Sequence, residues 1–440
     1  MGQRNSLPEI VFELNLGKVG RRNVTDICRD LIGSYFKANN ASLTIERIVL
    51  RPVERLGGSG SLVFHMDVHN AVDDNVMHLI AKMSTKKKAE QELKSAQRFK
   101  DVNVSLYRHR SSDNALVVYA SIDDAKEFRT LYLDKSVSDT MLVKYLNQLY
   151  KSTVDKYITV RPKDEELRSI VEDYDWYVSR RSTNPLARLK SILSQIENSR
   201  VSGSENPYLF YQHELLPTRW GRRPVQPFLV HGDLHARNIM VPDTKNMKPE
   251  LIDYAWGHFG HRAKDFALLE ATIKYMLLKE FTFQHADTQS DSYIPFHVYV
   301  GFEKQLCAEG LELSNYKILK PRSDEQYSEV PKHMKRSTEM ARSGSEYHTW
   351  CMSRAYACIR AIRKQASHYL DSANSTLCPS SEFLSLEEEY FLSLFLISIG
   401  QAGFSDVEEA WLVCGSGLLA ARLKNLWSFN SLTKNRSLIK

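Results

Sequence analysis

Residues 228–241 read FLVHGDLHARNIMV, and ELIDYAWGHFGHRAKDFALLE follows at 250–270. In each, an apolar run leads into a polar stretch whose acidic, His and Asn side chains a buried core would not want. Asp233 and Asn238 stand five apart in a polar loop between apolar flanks, so a loop that folds back brings both to one point. That pair suits phosphoryl transfer: a carboxylate takes the proton of an attacking hydroxyl while an amide oxygen downstream holds a metal ion. Asp253 follows the short β-type run PELI, twenty residues past Asp233, so neighbouring strands can present both carboxylates at one end. Magnesium takes one or two protein oxygens and fills its octahedron with water and phosphate, so Asp253 and Asn238 suffice for it.

Such a loop needs a scaffold, and the chain changes texture twice around it. Residues 1–42 carry a strand-like piece, EIVFELNL, and a helical pattern through Ile27, Leu31, Ile32, Tyr35 and Phe36, and are expected to form an N-terminal appendage. Residues 43–122 hold four short β-type segments, LTIERIVLRPV, GSLVFHMDV, NVMHLIAKMS and ALVVYASI, with one helical stretch, which predicts a small, mainly antiparallel sheet carrying a single helix. Residues 123–440 are mostly helical around the strand-like island at 229–256 and close in a helical extension. In that extension, Ser385/Glu388 and Ser405/Glu408 read as capping boxes at helix starts. The chain is therefore expected to be α+β, with two lobes.

The sheet should bring a phosphate-gripping cation. His78, Ile80 and Lys82 share one face of a strand by period two, so Lys82 follows apolar neighbours into cover and needs an anion there. In the helix that follows, Glu92 shares the small apolar face of Ala89, Ala96 and Phe99, whereas Glu90 points elsewhere. Glu92 is the expected partner of Lys82, against the plainer reading in which both are solvated. Between the first two strands, Gly57, Gly58, Ser59 and Gly60 form either a phosphate-covering loop or a glycine-rich hairpin turn.

HGDLHARN followed by IDY resembles the catalytic loop and metal motif of the aminoglycoside phosphotransferase and choline kinase superfamily, which shares the protein-kinase fold. The resemblance implies a bilobal kinase-like fold, with a small antiparallel β N-lobe and a large helical C-lobe. It makes Asp233 the catalytic base, Asn238 and Asp253 magnesium ligands, His231 a structural member of the loop and His235 a contact to the transferred phosphate. It gives Asp265 the role of bracing the loop from the next helix, and Tyr119–Ser121 the hinge that holds adenine. More narrowly, residues 251–278 and the closing helices look similar to kinase-like domains of bacterial conflict and signalling systems. The glycine spacing departs from GxGxxG, and the further acidic residue that many relatives carry after Asp253 is missing, which puts catalytic efficiency in question.

ATP, Mg²⁺ and a hydroxyl-bearing small molecule are the expected ligands, and an ATP-dependent phosphotransferase the expected activity. A protein or peptide kinase and a nucleotide-binding pseudokinase or scaffold are the competing readings, with a protein partner on the C-terminal helices conceivable. A net charge of +6 on 440 residues is too diffuse for a dedicated nucleic-acid binder, and Lys86, Lys87 and Lys88 lack the interleaved aromatics that single-strand binding requires. His258 and His261 lack further ligands for zinc and read as loop contacts. Six scattered cysteines, no apolar run of about 20 residues for a membrane span, and no secretory h-region at the start predict a cytoplasmic protein.

Overall fold

The computed structural model describes residues 9–12, 31–33, 45–52, 61–71, 76–99, 102, 104–108, 113–120, 125–162, 168–195, 201–243, 248–286, 293–314, 316, 346–374 and 385–437. The chain divides into two compact units: residues 1–126 with 242–246 and 251–258, and residues 127–241 with 247–250 and 259–440. The Asp253 segment therefore belongs to the sheet unit and the Asp233 loop to the helical one. The fold class is α+β, as the sequence pattern implies.

In the first unit, β1 (Glu9–Phe12), β2 (Ile45–Pro52), β3 (Leu62–Asn70), β4 (Val76–Thr85), β5 (Val104–Arg108) and β6 (Asn114–Ala120) form one sheet in the order β1-β2-β3-β4-β6-β5. Four of its pairings are antiparallel. The exception is β1, which runs parallel to β2 at the edge, so Glu9–Phe12, the first half of the strand-like piece in the expected appendage, is part of the sheet. One face carries Leu79, Ala81 and Met83 of β4 into a core with Ile48, Leu50, Phe64, Met66, Leu116 and Val118, to which Leu31 and Ile32 also belong. Period two sends Ile80 and Lys82 to the other face. The helix Lys86–Ala96 follows β4 directly; it is capped by Thr85 and buries Ala89, Glu92, Ser95 and Ala96.

The second unit is mainly helical. Leu386–Gln401 is buried on nearly every side from Glu388 onward, as a helix apolar all round must be, and packs against Glu409–Ser437, Lys264–Thr272 and Ile170–Val178. Its N-terminus has the expected box: Ser385 Oγ accepts from Glu388 N and the Glu388 carboxylate accepts from Ser385 N. Ser385→Ala should therefore cost about 1 kcal/mol in urea unfolding, and no change in midpoint would show the box to be idle. The second expected box does not form: the last helix starts at Glu409, the Glu408 N–H donates to the Tyr275 carbonyl, and the Glu408 carboxylate pairs with Lys279 at 3.1 Å.

Charges run through this helical core. Arg363 makes a two-pronged pair with Glu270 at 2.6 and 2.9 Å, and Tyr390 donates to the same carboxylate at 2.6 Å. Lys274 pairs with Glu303 at 2.8 Å and Lys264 with Asp173 at 2.7 Å, all four side chains being out of solvent. Among the described residues, Cys307, Cys351, Cys358 and Cys414 are buried free thiols, and no helix is long and apolar enough to cross a membrane.

Candidate active site

The expected site residues fall into two clusters, one in each unit. In the sheet unit, the Lys82 Nζ lies 3.0 Å from Glu92 Oε2 and 2.7 Å from Asp253 Oδ1. Burial pulls the Lys82 ammonium down, but the two carboxylates outweigh it and hold its pKa above the ordinary lysine value. The Glu92 pKa is raised as well: burial first, then repulsion from Asp253, lifts it against the pull of Lys82 and of the Tyr119 hydroxyl, which hydrogen-bonds to it. Of the two carboxylates beside Lys82, Asp253 is the one that solvent reaches: its side chain is 34% exposed and that of Glu92 only 2%.

Asp253 reaches Lys82 from an unusual backbone. Its φ of 61° and ψ of 65° are left-handed, a conformation that Asp tolerates better than bulkier residues. The short turn after it, Tyr254–Trp256, is docked on the sheet helix: the Phe99 and Tyr254 rings lie 4.7 Å apart, and Arg98 donates to the Gly257 carbonyl at 2.7 Å. A Cβ at Gly257 would stand 2.5 Å from the Phe99 ring, so only glycine lets the turn sit this close.

In the helical unit, the buried strand Pro227–Val230 runs into the loop, and Ile239–Val241 leaves it. Asp265, at the start of the helix Lys264–Thr272, accepts the backbone N–H of His231 and of Gly232, each at 2.8 Å, and the Tyr157 hydroxyl at 3.2 Å. Burial raises the pKa of this carboxyl, opposed by His231 and by the three donors. Gly232 has a φ of 76°, which turns the chain so that Asp233 leaves the core, and its carbonyl accepts from the Tyr177 hydroxyl. Asn238 Nδ2 donates to the Asp233 carbonyl at 2.8 Å, closing the loop, and His235 Nε2 lies 3.7 Å from Asp233 Oδ2. The loop thus holds His231 and Asn238 inside while leaving the Asp233 and His235 side chains each 31% exposed.

Gly57, Gly58, Ser59 and Gly60 lie outside the described residues, as does Ser121 of the expected hinge. Lys87 and Lys88 are exposed at the start of the sheet helix. His258 Nδ1 is bonded to the Trp256 carbonyl at 2.6 Å, and His261 Nδ1 to Tyr174 at 3.0 Å. Among the described residues, no cluster of three or more His, Cys, Asp or Glu is arranged to hold a metal, zinc included. Sequence reasoning missed Tyr157 and Tyr177, which brace the loop from other helices and whose only sequence signal is an aromatic at a buried helical position.

The model of ternary complex associated domain 9 matches residues 148–377, just over half of the chain, across the Asp233 loop and Asp253. The chain belongs to that family. This ternary complex associated domain 9 protein has no match among curated proteins. Solved structures that it resembles are small-molecule kinases. An aminoglycoside phosphotransferase of Streptomyces rimosus is 15% identical, with 78% of this chain and 98% of that one covered and a TM-score of 0.33. The Plasmodium vivax ethanolamine kinase is 9% identical, over 86% and 81%, at 0.31, and a Streptococcus pneumoniae choline kinase 10% identical, over 75% and 98%, at 0.28. The Streptomyces rimosus enzyme has also been solved with ADP and streptomycin.

Proposed function

We propose that the chain is an ATP-dependent phosphotransferase that moves the γ-phosphate of Mg·ATP to a hydroxyl of a small molecule in the cytoplasm. The observation that carries this reading is Lys82, a buried ammonium kept charged between Glu92 and Asp253, with Asp253 alone able to reach a diffusible cation. A lysine so placed is oriented toward nucleotide phosphates by its acidic neighbours.

Asp253 and Asn238 are each suited to Mg²⁺. Asp253 supplies a partly exposed carboxylate, and Asn238, with its N–H donated inward, keeps an amide oxygen as acceptor. Bound there, Mg²⁺ would neutralise charge on the phosphate oxygens. Asp233 accepts the proton of the acceptor hydroxyl as the new P–O bond forms and the bond from the γ-phosphorus to the bridging oxygen of ADP breaks. His235, beside Asp233, is the side chain we assign to the transferred phosphate, and Gly57, Gly58, Ser59 and Gly60 the backbone we assign to the phosphates of ATP. A second reading, a nucleotide-binding member of a larger assembly that does not turn over, is favoured by the family's description as associated with a ternary complex.

Calorimetric titration with ATP, with and without Mg²⁺, tests the proposal. Binding should need Mg²⁺, and Asp253→Ala should weaken it on the order of tenfold, about 1.4 kcal/mol. Wild-type affinity for Mg·ATP in that variant would remove Asp253 from the site. Release of ADP by the wild-type chain separates the phosphotransferase from the silent nucleotide binder.

A further inference from the structure

The helix Ile170–Val178 ends against the Asp233 loop. Tyr177 donates its hydroxyl to the Gly232 carbonyl, in the peptide that joins Gly232 to Asp233. Its ring meets Trp176 edge-on, at 5.3 Å and 89°, yet Trp176 stays 41% exposed. Two residues past the helix, the Arg180 guanidinium lies 4.8 Å from the Trp176 ring centre and 5.9 Å from that of Phe404, which is 38% exposed. Phe404 is held there because Leu386–Gln401 closes on Tyr177 at Gly400, where a Cβ would stand 3.1 Å from the Tyr177 Cβ.

The three groups form a surface with a definite chemistry. Arg180 Nε donates to Ser182 Oγ at 3.1 Å, and among the described residues no carboxylate pairs with it. Two large aromatic side chains left in water around a guanidinium are costly to hydrate and suited to a ligand with an apolar part and an anionic part. The planar fork of arginine matches carboxylate or phosphate oxygens in pairs, whereas an ammonium would meet like charge. Both Asp233 and Arg180 act on the Tyr177 phenol: burial raises its pKa most, Asp233 adds to the rise and Arg180 opposes it. The surface is joined to the loop through Tyr177, whose ring meets Trp176 and whose hydroxyl holds the peptide that leads into Asp233.

Resting on the phosphotransferase reading above, we propose that Trp176, Arg180 and Phe404 form the acceptor subsite. The acceptor is a hydroxyl compound that carries a carboxylate or phosphate next to an apolar or aromatic portion. A polycationic acceptor is excluded by the same guanidinium.

Three compounds that share a phenyl ring and an alcohol but differ in charge test this: 3-phenyllactate, its amide, and the amino alcohol phenylalaninol. Their dissociation constants from the full chain, saturated with Mg²⁺ and a non-hydrolysable ATP analogue, are read by ligand-observed NMR. Phenyllactate should bind about tenfold more tightly than the other two, as a charge-assisted paired contact provides. Arg180→Gln should erase that preference. Equal affinities, a preference for phenylalaninol, or a preference for phenyllactate that survives Arg180→Gln would overturn the subsite, and the ranking on the native chain holds as a test even if the variant does not fold. Titration of Mg·ATP on the same sample keeps the two readings apart: nucleotide binding without selectivity removes the subsite alone. Selectivity without nucleotide binding removes the phosphotransferase, and with it the acceptor role.

Discussion

Asp233→Asn is expected to lower phosphoryl transfer by about 10²–10⁴-fold while Mg·ATP still binds. Asn keeps the shape of Asp but cannot take a proton. The loop does not depend on the Asp233 carboxylate for its form, because its backbone is fixed elsewhere: the His231 and Gly232 N–H groups go to Asp265, the Gly232 carbonyl to Tyr177 and the Asp233 carbonyl to Asn238. The side chain itself is one of the exposed groups on the loop, 31% in solvent, so its loss leaves no buried partner stranded. Single-turnover release of phosphate from labelled ATP, with calorimetry of Mg·ATP alongside, measures both quantities. A wild-type rate in Asp233→Asn would take the role of base from this residue. Loss of nucleotide binding together with the rate would make Asp233 a structural residue instead.

The second large effect lies in the helical core. Glu270→Ala should destabilise the chain by about 3–5 kcal/mol, because it leaves the fully buried Arg363 guanidinium without its counter-ion. Replacing both, Glu270→Leu with Arg363→Met, should recover most of that loss, since an apolar pair of similar volume avoids the desolvation of two ions. Urea unfolding of the single and double variants gives the comparison, and a double variant no more stable than Glu270→Ala would show that shape, not charge, decides this contact. The pair also sets a pH limit. Burial pushes the Glu270 carboxyl up, but Arg363, Lys274 and Tyr390 outweigh it and hold its pKa below the ordinary 4.5. Its contribution to stability is therefore complete above that value and drains away as the pH falls through the lowered one.

What the sequence makes legible is what short-range periodicity controls. Lys82 and Glu92 meet because a period of two on the strand and of 3.6 on the next helix each leave one choice of face, and the two elements are joined at Thr85. Asp265 is legible through the resemblance of GHRAKDFALLE to the helix-opening Asp of the superfamily and not through periodicity. The left-handed backbone of Asp253 leaves no such trace, because it is imposed by the docking of Tyr254 and Gly257 on residues more than 150 positions earlier. The strand β5, VSLYR, is half-buried from Val104 to Tyr107 and has no clean alternation to announce it, and the parallel seat of β1 depends on a partner 38 residues away. Glu408 looks like half of a capping box until Lys279 and the Tyr275 carbonyl claim it. Nothing in the local pattern announces that Arg363 and Lys274 are buried, since the acids paired with them, Glu270 and Glu303, lie on other helices.

The sheet helix has one further property. It carries Glu92 on its body, and through Arg98 and Phe99 just beyond its end it grips the turn behind Asp253. Both acids that cradle the Lys82 ammonium thus hang from a single lever. Its outer side, with Lys87, Glu90, Gln91 and Lys94, faces water. The two carboxylates on either side of the Lys82 ammonium are therefore positioned by one element, Glu92 directly and Asp253 through the turn that follows it.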